Sequence, residues 1–151
     1  MACRQVDRSF PGPHVFPSDP YLAALTEQWV SLVNTLIDRT LIRTYLYAYI
    51  APRAADAGPD REAIDAVMPA LREQIGVLDK AVAGTRYLVG DEFTFADINL
   101  LPILYRLGQA PEGAEALAAA THLARYYERH ATRPSFARTI PAGPLGRAKP
   151  G

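Results

Sequence analysis

The stretch Phe93-Thr94-Phe95-Ala96-Asp97-Ile98 decides the reading of this sequence. Thr94 and Asp97 stand three apart, the spacing of a capping box, in which hydroxyl and carboxylate each satisfy an amide at a helix start. Phe93 and Ile98 occupy the positions of a hydrophobic staple on either side of that box. A cap of this kind contributes about 1 kcal/mol. The helix that follows carries Ile98, Leu100, Leu101, Ile103, Leu104 and Leu107, apolar on nearly every side, so it belongs at the centre of a helical bundle. Pro102 lies inside it and is expected to kink it.

Upstream, Asp60 is placed to cap a helix whose apolar stripe is Ile64, Val67, Met68, Leu71, Ile75, Leu78 and Val82. Gly84 stands at its end, and Pro69 inside it predicts a bend. Further back, Asp19-Pro20 opens a long helix, with Leu22, Leu25, Trp29, Val33 and Leu36 at helical spacing. This helix is expected to reach about Ile50, with a bend near Asp38, and a loop follows over residues 51–59. Downstream, Glu112 to Ala120 reads as a short Ala-rich helix, and Thr121 as the cap of another carrying Leu123, Tyr126, Tyr127 and His130. Pro134 to Thr139 adds a last turn. No strand pattern and no internal repeat is found. The fold class is therefore all-α, a bundle of about five to six helices. Residues 1–18, broken by Pro11, Gly12, Pro13 and Pro17, read as a short leading piece and a linker; 19–140 as the helical domain; and 141–151, rich in Pro and Gly, as a flexible tail.

Composition bounds the function. The chain has 151 residues, enough for one sizeable core, and 49% of them are hydrophobic. Sixteen Lys and Arg balance sixteen Asp and Glu, which gives no electrostatic reason to expect a nucleic acid or an anionic membrane as partner. No apolar run approaches the roughly 20 residues of a membrane span, and no signal peptide is visible. Cys3 is the single cysteine, so no internal disulfide and no thiolate metal site follows, and the cytosol is the default compartment. His14, His122 and His130 share no local metal-ligand spacing. There is no G-x-S-x-G, phosphate loop, H-E-x-x-H or C-x-x-C. Asp97 beside an apolar helix has the chemistry of a base, but capping accounts for it better. Ser31, Asn34, Thr35 and Asp38 form a face of small polar groups on the first long helix. Such a face suits either a subunit or domain contact or the wall of a ligand site. Tyr45, Tyr47 and Tyr49 follow on the same helix, at least one of them expected in the core.

A family resemblance rests on these residues. Leu78-Asp79, then Tyr87-Leu88-Val89-Gly90-Asp91, then Phe93 to Asp97, with Pro102 and Leu104 beyond, resembles the pattern of the glutathione S-transferase C-terminal domain. Arg133-Pro134-Ser135-Phe136 resembles its closing motif, and Gln28-Trp29-Val30-Ser31 the start of its first helix. Val6 to Phe10 resembles the end of the last helix of the family's N-terminal, thioredoxin-like domain, which would make Pro11 to Pro20 the interdomain linker. The resemblance implies a parent reaction in which the glutathione thiol adds to an electrophile, with glutathione as co-substrate. It also implies that the residues activating glutathione belong to the thioredoxin-like half, so no catalytic residue is carried over to this sequence. What the C-terminal half implies is a wall for the hydrophobic electrophile and part of a homodimer interface. Asn34, Thr35, Asp38, Ile42 and Tyr45 are the candidate wall, while Phe93, Thr94, Asp97 and Ile98 are structural. The alternative reading is a non-catalytic protein-interaction module or an inactive truncated homologue.

Overall fold

The computed structural model describes residues 2–50 and 58–140. Among them the chain is all helical, without a strand. The expectations for the 51–59 loop, largely, and for the 141–151 tail lie outside the described residues. Helix α1 is Ala2–Ser9. The long helix comprises α2 (Pro20–Leu32), a π-helical segment (Val33–Leu46) and α3 (Tyr47–Ile50). Then come α4 (Arg61–Ala81), α5 (Phe95–Leu107), α6 (Pro111–Ala119), α7 (Thr121–Ala131) and α8 (Pro134–Thr139).

The long helix starts where Asp19 accepts a hydrogen bond from the Leu22 amide at 2.8 Å, with Pro20 in the first turn. Its winding then widens over Val33–Leu46, the stretch that holds Asp38, where the sequence predicts a bend. Widening brings residues five apart together: the Thr44 hydroxyl donates to the Arg39 carbonyl at 2.9 Å, and Arg43 Nε to Asp38 Oδ2 at 2.6 Å. Val33, Ile37, Leu41 and Tyr45 form the buried stripe of this segment. Asp60 caps α4 through the Ala63 amide. Both α4 and α5 continue past their internal prolines, Pro69 and Pro102.

Helix α5 sits in the middle, packed on the π segment, α2, α6 and α7. Leu100, Leu101, Leu104 and Leu107 are buried in full or nearly so. Burying each contributes about 2 kcal/mol, so core packing outweighs the local cap in holding the helix. The cap nevertheless does more than start α5. Asp97 is itself fully buried. Its Oδ2 accepts from the Thr94 amide at 2.8 Å and the Thr94 hydroxyl at 3.0 Å. Its Oδ1 accepts from the Leu88 amide at 2.9 Å and the Tyr126 hydroxyl at 2.7 Å. One carboxylate thus joins the loop before α5, the start of α5 and α7. Burial, followed by the Asp97 charge, pushes the Tyr126 hydroxyl far up, which keeps it protonated and donating. Phe93 packs against Tyr87 and His130 and lies under the Arg133 guanidinium, 3.9 Å from the ring centre. Ile98 remains 38% exposed.

The start of α7 differs from the sequence reading. Thr121 lies inside the helix and makes no capping bond. The cap comes from α4: Asp79 Oδ1 accepts from the His122 amide at 2.7 Å and the Leu123 amide at 2.9 Å. The linker is also pinned. Asp7 of α1 accepts from the Val15 amide at 2.9 Å, and the Val15 carbonyl accepts from the Phe95 amide at 2.8 Å.

Replacing Asp97 by Ala strands the Leu88 and Thr94 amides and the Tyr126 hydroxyl in the core. We expect a loss of at least about 3 kcal/mol of stability. Tyr126→Phe, which removes one donor and leaves the carboxylate three others, is expected to cost about 1–2 kcal/mol. Urea unfolding followed by circular dichroism measures both.

Candidate functional site

The five residues of the expected wall do not form one surface. Asn34 and Thr35 are exposed, and the Thr35 hydroxyl is turned back onto the Ser31 carbonyl at 2.7 Å. Asp38 is half-buried in its ion pair with Arg43, and Ile42 is half-buried. These four lie on the outer side of the π segment. Tyr45 is fully buried and points inward, so it belongs to the core rather than to an open wall. Of its two neighbours, Tyr47 is 52% exposed and Tyr49 half-buried.

Tyr45 and, on α3, Tyr49 belong to a cluster that no local sequence pattern signals. Glu112, in the first turn of α6, accepts from both tyrosines: the Tyr45 hydroxyl at 3.0 Å and the Tyr49 hydroxyl in a very short bond to the same oxygen. Arg61 Nη1, at the start of α4, donates to the other oxygen at 3.0 Å and to the Tyr49 hydroxyl at 3.1 Å. The Tyr45 hydroxyl in turn accepts from the Gly113 amide at 2.8 Å. The two rings meet edge to face at 5.6 Å. Gly113 is required here by space: a Cβ on it would stand 2.5 Å from the Leu107 carbonyl oxygen and 2.7 Å from Leu107 Cδ1. Only a residue without a side chain lets α6 come this close to the end of α5.

The electrostatics of the cluster are those of a tie, not of an acid–base pair. Burial by itself raises the Glu112 carboxyl, but hydrogen bonds from Tyr49 and Tyr45 and the Arg61 charge hold it below the ordinary glutamate range. Burial pushes both tyrosine hydroxyls up, and Glu112 adds to it. At neutral pH the carboxylate therefore accepts and the phenols donate, with no proton poised to move. Among the described residues no group of His, Cys, Asp and Glu is arranged to hold a metal ion. No described helix is long and apolar enough to cross a membrane.

Among the described residues, three of the grooves lie between elements of the bundle. One of about 320 Å³ lies between α4 and α6, with Arg72, Gly76, Asp79, Glu112 and Glu115 in its wall. One of about 420 Å³ lies between the π segment and α4, with Leu36, Arg39, Thr40, Glu73 and Val77. The largest of the three, about 710 Å³, lies between the loop after α4 and α7.

Because the Glu112 carboxyl is held low in the folded chain, its contribution to stability is complete at neutral pH. It is lost as the pH falls from the ordinary glutamate value through the lower folded one. Glu112→Gln is expected to cost about 1–3 kcal/mol at pH 7, and the gap to the parent chain closes on acidification to pH 3. Melting curves of both chains across that range check the sign. Gly113→Ala, which drives a methyl into Leu107, is expected to cost about 1–3 kcal/mol with no such pH dependence.

Comparison with known proteins accounts for the architecture. Residues 37–134 match the family model described as glutathione S-transferase, C-terminal domain. Glutathione S-transferase 3 of Zea mays is 36% identical over 89 residues, which cover 58% of this chain and 39% of that protein. Glutathione S-transferase TCHQD of Arabidopsis thaliana is 33% identical over 85 residues, 56% of this chain and 30% of that protein. Among solved structures, glutathione S-transferase III in its apo form superposes with a TM-score of 0.76 at 26% identity, covering 93% of this chain and 62% of that one. The chain thus spans less than half the length of the curated relatives it matches at these identities. With the Thr94–Asp97 cap, the central α5 and the matched span in agreement, the chain belongs to the glutathione S-transferase family through that family's C-terminal domain.

Proposed function

We propose that this chain supplies the electrophile-side and dimer-forming half of a glutathione transferase-type protein, working with a thioredoxin-like domain that holds glutathione. The observation that carries the reading is a set of exposed apolar side chains on and around the first two helices. Val6 is 56%, Phe10 66% and Tyr21 70% exposed, on α1, just after it and at the start of α2. These two helices are tied together by the Arg4–Glu27 pair at 3.1 Å. Exposed apolar groups of this size mark a surface that another body covers. An interdomain contact buries roughly 600–1,500 Å².

In this reading residues 1–18 are the end of the preceding domain's last helix and the linker, and 19–140 the helical domain. The electrophile lies along the outer side of the π segment, against Ile42, Asn34 and Thr35, with the Asp38–Arg43 pair at its edge. Tyr45 acts indirectly, by fixing α6 through Glu112 and Gly113. The reaction is addition of the glutathione thiol to the electrophile, and the thiol-activating group belongs to the thioredoxin-like half. The partner copy docks on the groove between the π segment and α4. Leu36 is 39% and Val77 48% exposed there, and Arg39 and Glu73 offer opposite charges to a two-fold-related copy. The single exposed thiol, Cys3, fits a reducing, cytosolic setting.

Conjugation of glutathione to 1-chloro-2,4-dinitrobenzene tests the reading. The chain by itself is expected to leave the uncatalysed rate unchanged. Joined behind the thioredoxin-like domain of the maize relative, it is expected to raise that rate, and Ile42→Ala to lower kcat/KM for an apolar electrophile by about tenfold. A folded fusion that neither conjugates nor binds a hydrophobic electrophile overturns the reading in favour of an interaction module without catalysis. For the dimer, Leu36→Glu with Val77→Glu is expected to convert a dimer to a monomer by light scattering.

A further inference from the structure

The chain's charges balance overall, yet they are not evenly spread. The groove of about 710 Å³ between the loop after α4 and α7 has Arg86, Arg125, Arg129 and His122 around an apolar floor of Val82 and Tyr126. No carboxylate lines it. His122, Arg125 and Arg129 stand three and four apart on α7, so they share one exposed face of that helix. Arg86 comes from the opposite bank.

Among the described residues none of the three guanidiniums has a carboxylate partner. The Arg125 guanidinium makes no hydrogen bond or ion pair with a described residue. Arg129 Nη1 reaches only the Arg86 carbonyl, at 3.4 Å, and the Arg86 guanidinium only stacks over the Tyr87 ring, 5.6 Å from its centre. The bank that carries Arg86 is nevertheless fixed, because its carbonyl accepts from the buried His130 Nε2 at 2.9 Å. The Tyr126 hydroxyl is already committed to Asp97, so the floor adds an apolar face and no competing acceptor. Guanidiniums without a described carboxylate partner on two banks of one groove leave their charge for an anion to meet, and Arg is the side chain that engages phosphate oxygens in paired hydrogen bonds. The volume lies within the range of small-molecule sites.

We propose that this groove is a binding site for a small soluble compound bearing more than one phosphate group, separate from the electrophile wall and the dimer face. Its specificity lies in the charge and spacing of the oxyanions, which Arg86 meets from the loop and Arg125 and Arg129 from the helix.

Calorimetric titration of the chain with inorganic pyrophosphate, against sodium chloride at matched ionic strength, tests it. Saturable binding at one site is expected. Arg125→Ala with Arg129→Ala is expected to weaken it by about tenfold or more, while Arg72→Ala, in the groove between α4 and α6, leaves it unchanged. If the double variant does not fold, Arg125→Ala, whose guanidinium has no ion-pair partner among the described residues, gives the same readout. Absence of saturable binding, or binding that the arginine substitutions do not weaken, overturns the proposal. So does binding to vesicles containing phosphatidic acid without binding to pyrophosphate, which would make the groove a membrane contact.

Discussion

Four donors converge on the Asp97 carboxylate, and most of the bundle is arranged around that convergence. A buried carboxylate is tolerated only when its lone pairs are filled. Filling them here takes the Leu88 amide, both donors of Thr94 and the Tyr126 hydroxyl. Each comes with an element attached. The loop before α5 is thereby set in register, α5 begins at a defined residue, and α7 is drawn against it. The apolar residues of α5 then fill the space that this geometry leaves. The packing could accommodate other hydrophobic choices of similar volume. The carboxylate could not be replaced by one of them without leaving three elements with unsatisfied donors.

Two further acidic residues repeat the device. Asp79 of α4 satisfies the first amides of α7, and Glu112 of α6 gathers Tyr45, Tyr49 and Arg61 from the long helix and from α4. Side chains that in isolation have the chemistry of bases are thus engaged in holding helices to one another. That use agrees with the role proposed above, in which the thiol-activating group belongs to another domain.

What the sequence reveals and what it hides follows from distance along the chain. The starts at Asp19, Asp60 and Thr94 are legible because donor and acceptor lie three residues apart, and the apolar stripes are legible because helical spacing repeats locally. Thr121 satisfies the same local rule and still does not cap α7, because Asp79 reaches those amides first from another helix. Tyr45 could be placed on the right helix but not on its correct side. Its partners, Glu112 and Gly113, lie 67 and 68 residues away, and the wider winding after Val33 alters which side chains share a face. Spacing alone does not choose among the many arginines; only the fold brings Arg86 opposite Arg125 and Arg129. The need for glycine at Gly113 is equally hidden, because it arises only when the end of α5 is brought against α6.

The borrowed cap of α7 has a consequence for how the chain reaches this state. A helix of this length has little stability in isolation, and the one carboxylate that satisfies its first amides, that of Asp79, lies 43 and 44 residues upstream of them. Its nucleation is therefore not a local event. Helix α7 gains its defined beginning only once α4 is in place to offer Asp79. On a ribosome delivering the chain from its N-terminus, that order comes without waiting: the segment carrying Asp79 emerges well before the amides it receives.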